Sequence, residues 1–126
     1  MLTLPTNKTH YQGFRQLNKT PINTLARSRT AITSAIAKHY FSGDSLQDRL
    51  VREFSEQQLL PIKEILESFE FFTRVRKYVR APLIADLCCG HGLIGILFAL
   101  FERSVEQVTL IDHKVPPSFT KVLASA

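Results

Sequence analysis

The sequence predicts an α/β chain in which an α-helical N-terminal region, residues 20–80, precedes a βαβ unit, residues 81–126. Three observations predict it: apolar residues recur at helical spacing before residue 80, two short apolar runs follow, and a glycine-rich stretch joins the first of those runs to an apolar helix. At 126 residues, with 44% hydrophobic and 21% charged, the chain has the size and composition of one compact globular domain.

Residues 1–19 are rich in Thr, Asn and Gln without a sustained apolar period, and read as an extended or partly ordered basic arm. Thr20 and Pro21 suit a cap and first helical position, and Ile22, Leu25, Ile32, Ala35 and Ile36 share one face of a helix running to about Tyr40, interrupted by Arg29. Ser42-Gly43-Asp44 breaks it. Ser45 to Asp48 resembles a capping box with Asp in place of Glu, and Leu46, Leu50, Val51 and Phe54 form the apolar stripe of a second helix. Pro61 starts or kinks a third segment, where Ile62, Ile65, Leu66, Phe69, Phe72, Val75 and Val79 keep the helical period to about Arg80. Arg74, Arg76, Lys77 and Arg80 cluster at its end, either complementing the terminal carbonyls or forming a substrate-facing basic patch.

The pattern changes at Ala81-Pro82. Leu83–Leu87 and Val108–Asp112 read as strands flanking a helix from about Leu93 to Phe101, and Phe119 to Ala126 begins a further helix after Pro116-Pro117-Ser118. Both runs are so apolar that a central parallel sheet covered by helices on both sides is expected.

The longest apolar stretch, Leu93 to Phe101, is far below the roughly 20 residues of a membrane span. Cys88 and Cys89 are adjacent, which disfavours a disulfide between them and fits a reduced, cytoplasmic setting. Adjacent cysteines also lack the C-x-x-C spacing of a metal half-site or redox pair, so no metal is expected and they read as small loop and core residues. The first residues lack a secretory signal pattern, although an acidic-poor transit segment is a competing reading. The formal net charge of +5 arises mostly from Lys8, Arg15, Lys19, Arg27, Arg29 and Lys38, with no acid before Asp44. Such a stretch either attracts a polyanion such as RNA or keeps a polar arm solvated.

The chemistry concentrates in Asp86-Leu-Cys-Cys-Gly90-His-Gly92-Leu-Ile-Gly95, which follows a predicted strand and opens a predicted helix. In this G-x-G-x-x-G run Gly90 suits the tight turn, Gly92 admits close approach of a ligand, and Gly95 admits close helix–strand packing. Asp112 ends the next strand 22 residues after Gly90, where a carboxylate can accept the hydroxyls of a ribose. A nucleotide-type ligand follows from these positions together. Asp86 would repel a dinucleotide pyrophosphate and attract a sulfonium and ammonium, which favours S-adenosylmethionine. His91 is read either as a hydrogen-bond donor to that ligand or as a solvated loop residue, and His113 and Lys114 either border the adenine pocket or form a solvated turn. For Asp112 itself the competing role is a strand-end cap.

The segment Ile84-Ala-Asp-Leu-Cys-Cys-Gly-His-Gly92 resembles the first motif of class I S-adenosylmethionine-dependent methyltransferases, in which an acid precedes a G-x-G-x-G loop. The resemblance covers roughly residues 80–126 and implies the opening βαβ unit of a Rossmann-like sheet, with Asp86, Gly90 and Gly92 lining the methionine end of the cofactor and Asp112 its ribose. Cys88, counted with this cofactor-binding set, occupies a place where the family usually has glycine. The family's sheet has seven strands, so the chain reads as an apparently truncated portion, inactive alone, whose uncovered sheet edge favours self-association. The expected function is methyl transfer to an unidentified acceptor, with RNA the acceptor suggested by the basic stretch and the catalytic residues unassigned. Competing readings are an NAD(P)-binding oxidoreductase portion and a noncatalytic interaction domain.

Overall fold

The computed structural model describes residues 10–22, 25–87, 90–114 and 119–125. Among these residues five α-helices and two β-strands follow in the order α1 (Ser34–Tyr40), α2 (Leu46–Glu56), α3 (Ile62–Val75), β1 (Leu83–Leu87), α4 (Leu93–Phe101), β2 (Gln107–Ile111) and α5 (Phe119–Ser125), with short 3-10 turns at Arg15–Asn18 and Arg76–Tyr78. The chain is thus of the α/β class.

Its first helix is shorter than the periodicity predicts. The helix starts at Ser34, capped by the Thr33 hydroxyl, which accepts from the Ile36 amide at 3.3 Å. Upstream, the backbone pairs across the molecule instead: Ile32 N–H donates to Leu60 at 2.8 Å, and Ile62 and Lys63 N–H donate to Thr30 and Ser28. Ile22 and Ile32 are still buried, but by tertiary contact rather than as one helical stripe. Residues 10–19 likewise differ from the arm expected there. Phe14 and Leu17 enter the core, and the Gln12 and Gly13 amides donate to the Glu70 carboxylate at 2.9 Å. Burying two large apolar side chains outweighs the polar character of their neighbours. Residues 1–9 lie outside the described residues.

The Ser45 hydroxyl caps α2 by accepting from Asp48 N–H at 3.1 Å. Asp48 does not close the box on Ser45; its carboxylate accepts from Gly43 N–H and from Gln16 Nε2, each at 2.9 Å, tying the preceding turn and the N-terminal segment to the helix. Leu46, counted in the apolar stripe, is exposed, whereas Leu50, Val51 and Phe54 are buried. From α3, Ile62, Ile65, Leu66, Phe69 and Phe72 fill the core; regular α-helix ends at Val75 and a 3-10 turn carries the chain on to Tyr78.

The basic cluster after α3 is an anchor. Arg76 Nε donates to Glu102 Oε1 at 2.5 Å and Arg80 Nη1 to Glu102 Oε2 at 3.0 Å, while Arg74 pairs with Glu70. Glu102 is 5% exposed at the end of α4. Arg76 and Arg80 thus tie the end of α4 to the segment that follows α3, and Phe72 of α3 meets Phe98 of α4 edge-on at 4.8 Å.

β1 and β2 pair in parallel, with Leu83 opposite Gln107 through Leu87 opposite Ile111. Ile84, Asp86, Val108 and Leu110 are the half-buried positions of the two strands, on the face toward α4. The expectation of helices on both faces is not met among the described residues. Leu83 and Leu87 are 66% and 67% exposed and Ile111 is 49% exposed, because both helices that follow the strands belong to the same helical layer: α4 packs on α3, and α5 reaches α2 with Val122 buried in the common core. No helix among the described residues is long and apolar enough to cross a membrane.

Gly95 sets the distance between α4 and the sheet. A Cβ there would overlap Leu110 Cδ2 and stand 3.0 Å from Val108 Cγ1. Gly95→Val is therefore expected to lower unfolding free energy by about 2 kcal/mol through overpacking; a urea midpoint equal to that of the parent chain would contradict this.

Candidate functional site

The site forms where β1 and β2 end side by side and the chain turns into α4. Gly90 and Gly92 have φ of 55° and 79°, the left-handed region that side chains with a β-carbon rarely enter, and Gly92 is the residue from which α4 starts. These two angles reverse the chain from strand to helix and leave the first amides of α4 without helical acceptors.

Asp112 braces the turn. Its Oδ2 accepts from Gly90 N–H at 2.5 Å and its Oδ1 from Lys114 N–H at 3.4 Å. The Gly90 hydrogen bond holds the Asp112 carboxyl below its ordinary pKa, against a smaller opposing effect of burial, with the Lys114 and His113 amides and the His113 charge adding to the lowering. With a folded-state pKa below the unfolded one, the tie contributes above the ordinary carboxylate range and is lost as pH falls through the lowered value. Asp112 is thus a strand-end brace as well as a carboxylate at the loop, and His113 and Lys114 are exposed beside it.

Asp86 has the opposite character. It projects from β1 toward α4, and its buried Oδ2 has no hydrogen-bond partner among the described residues. Burial pushes its carboxyl above the ordinary value; the Gly95 amide opposes this without satisfying Oδ2, and the Asp112 charge adds to the rise. An acceptor left without a partner costs stability.

His91 points to α3, with Nε2 3.4 Å from Glu64 Oε2, and so joins the glycine turn to the helical region. Sequence reasoning missed Glu64, which carries no signal beyond its place in the first turn of α3. An open groove of about 610 Å³ lies along this junction, bounded by Arg29, Lys63, Glu64, Phe71, Gly90 and Ile94 among others. The structure thus brings Asp86, Gly90, His91, Gly92 and Asp112 to one end of the sheet, while Cys88 and Cys89 lie outside the described residues.

Chemically, the end of the sheet offers two carboxylates of different environment flanking a turn rich in backbone donors. Such a set can hold a ligand that carries positive charge, hydroxyl donors and an acceptor group together. Comparison of the chain with protein-family models, with curated proteins and with solved structures gives no match. The functional reading therefore rests on the residues and geometry of this chain.

Proposed function

We propose that the chain holds S-adenosylmethionine at the end of its sheet, as part of a class I methyltransferase with a Rossmann-like sheet. The observation that carries the reading is the buried Oδ2 of Asp86 near the end of β1, without a partner among the described residues and beside a glycine turn. A sulfonium or ammonium would compensate that carboxylate, whereas a pyrophosphate would be repelled by it, which favours this cofactor over a dinucleotide.

The residues present fit the group. Asp86 would attract the cationic methionine end, and Gly90 and Gly92 would let it approach the backbone. Asp112 would accept ribose hydroxyls while bracing Gly90, and His91 would be held near the loop by Glu64. The bound cofactor supplies an electrophilic methyl group; the protein's part is to orient it and keep the acceptor in line. The acceptor in this reading is RNA or another nucleotide.

Calorimetric titration of the chain with S-adenosylhomocysteine tests the reading. Saturable binding is expected, and Asp112→Ala should weaken it by about tenfold, as loss of a charge-assisted hydrogen bond does. A folded chain that takes up no S-adenosylhomocysteine but is stabilised by NADH would replace this reading with the oxidoreductase one.

A further inference from the structure

The groove between α3 and the glycine turn is separate from the strand-end carboxylates and has its own chemistry. Glu64, Glu67, Ser68 and Phe71 recur along one side of α3 and face it, and Phe71 is 52% exposed there. A single exposed phenylalanine is ordinary on a protein surface. Here, however, a cation accompanies it. The pairing of Ser28 O with Lys63 N–H brings residues 28–30 against the first turn of α3, so Arg29 lines the same groove. Its guanidinium is exposed and has no hydrogen-bond or ion-pair partner among the described residues. Of the carboxylates in the groove, Glu67 pairs with Lys63 at 3.7 Å, and Glu64 Oε2 lies 3.4 Å from His91 Nε2. Arg29 is thus a cation without a partner among the described residues, and two turns of helix away, roughly 12 Å along the axis, lies a bare aromatic face.

We propose that this groove binds a nucleotide, its base stacked on Phe71 and a phosphate held by Arg29. An arginine fork matches phosphate oxygens, and an exposed ring supplies the stacking surface that any base can use. Arg29 and Phe71 come from different segments and converge only because residues 28–32 pair with residues 60–63. Gly90 also lines the groove, so the bound nucleotide is placed beside the cofactor loop as the methyl acceptor. That placement rests on the methyltransferase reading; the binding itself does not.

Fluorescence anisotropy with labelled hexacytidylate, competed with unlabelled CMP, tests the proposal on the full chain. Cytidine probes avoid the adenosine that the strand-end site is proposed to take. Saturable binding is expected. Phe71→Ala should weaken it by about tenfold, the effect of losing one stacked base, and Arg29→Gln should weaken it and reduce the salt slope by about 1. Both positions are exposed, so melting temperature and S-adenosylhomocysteine affinity should be unchanged in both variants. Competition by CMP alone at similar affinity would identify a free nucleotide as the ligand, and much tighter binding of the hexamer a strand. No saturable binding, or binding indifferent to both substitutions, would overturn the proposal. Nucleotide binding without S-adenosylhomocysteine binding would leave the groove assigned and remove the methyltransferase reading.

Discussion

Asp86→Asn is expected to make the protein more stable and poorer at holding S-adenosylmethionine. The carboxylate is half-buried behind α4, its Oδ2 lacks a partner among the described residues, and burial raises its pKa above the ordinary value. A folded-state pKa above the unfolded one means that ionised Asp86 opposes folding at neutral pH, and that this penalty is relieved as pH falls through the raised value. Replacing it with the neutral amide removes the penalty. The gain is about 1 kcal/mol at pH 7, the lower end of the cost of an unsatisfied acceptor because the site is partly open to water. The gain should shrink as pH falls through that raised value, where the parent carboxyl takes up its proton. Binding should move the other way. S-adenosylmethionine carries a sulfonium that S-adenosylhomocysteine lacks, so loss of the Asp86 charge should cost the former about tenfold more affinity than the latter. Thermal unfolding from pH 4 to 8, with titrations of both ligands, checks both halves. Lower stability in the variant at pH 7, or equal losses for the two ligands, would sink the argument.

Replacing Arg76 and Arg80 together by methionine is expected to lower unfolding free energy by about 3–5 kcal/mol. Glu102 ends α4, where the partial negative charge of the helix carbonyls already opposes a carboxylate. It is also almost wholly buried, and the two arginines bind its two oxygens separately, with Arg76 lying over the Phe72 ring at 4.9 Å. Methionine keeps much of the packing of the arginine stems but leaves the Glu102 charge enclosed and unpaired. Adding Glu102→Gln to the double substitution should recover more than half of the loss, since no charge then remains to be compensated. Urea unfolding at neutral pH reads both variants; a loss below about 1 kcal/mol in the double substitution would show that solvent reaches Glu102 and that the anchor is weak.

Much of the local structure was legible in the sequence. Ser45, Pro61 and the apolar periods marked α2 and α3, because helix starts depend on hydroxyl caps and a fixed proline φ that a few neighbouring residues encode. The βαβ order was legible for the same reason: five-residue apolar strands and a Gly90–Gly92 turn carry their signal within about 30 residues. Even the packing role of Gly95 was readable, since only the smallest residue suits a helix pressed against strands.

Tertiary structure decided the rest. The stretch before Ser34 has helical spacing, yet its Ile32 amide and its Ser28 and Thr30 carbonyls pair with residues near Pro61, a choice made by segments about thirty positions away. Arg76 and Arg80 could have met water or a substrate; the partner that claims them is 26 and 22 residues along the chain. The sheet's uncovered face was not legible either, because apolar composition states what would gain by burial, not which helices arrive to bury it. The candidate site divides along the same line. By itself the sequence determined the strand–turn–helix geometry and the two acids at its ends, because backbone conformation there depends on residue type at fixed spacing. Only the folded chain decided that Asp86 Oδ2 is buried without a partner among the described residues, that Asp112 is spent partly on Gly90, and that Arg29 and Phe71 share a groove, because burial and pairing depend on which distant segments meet.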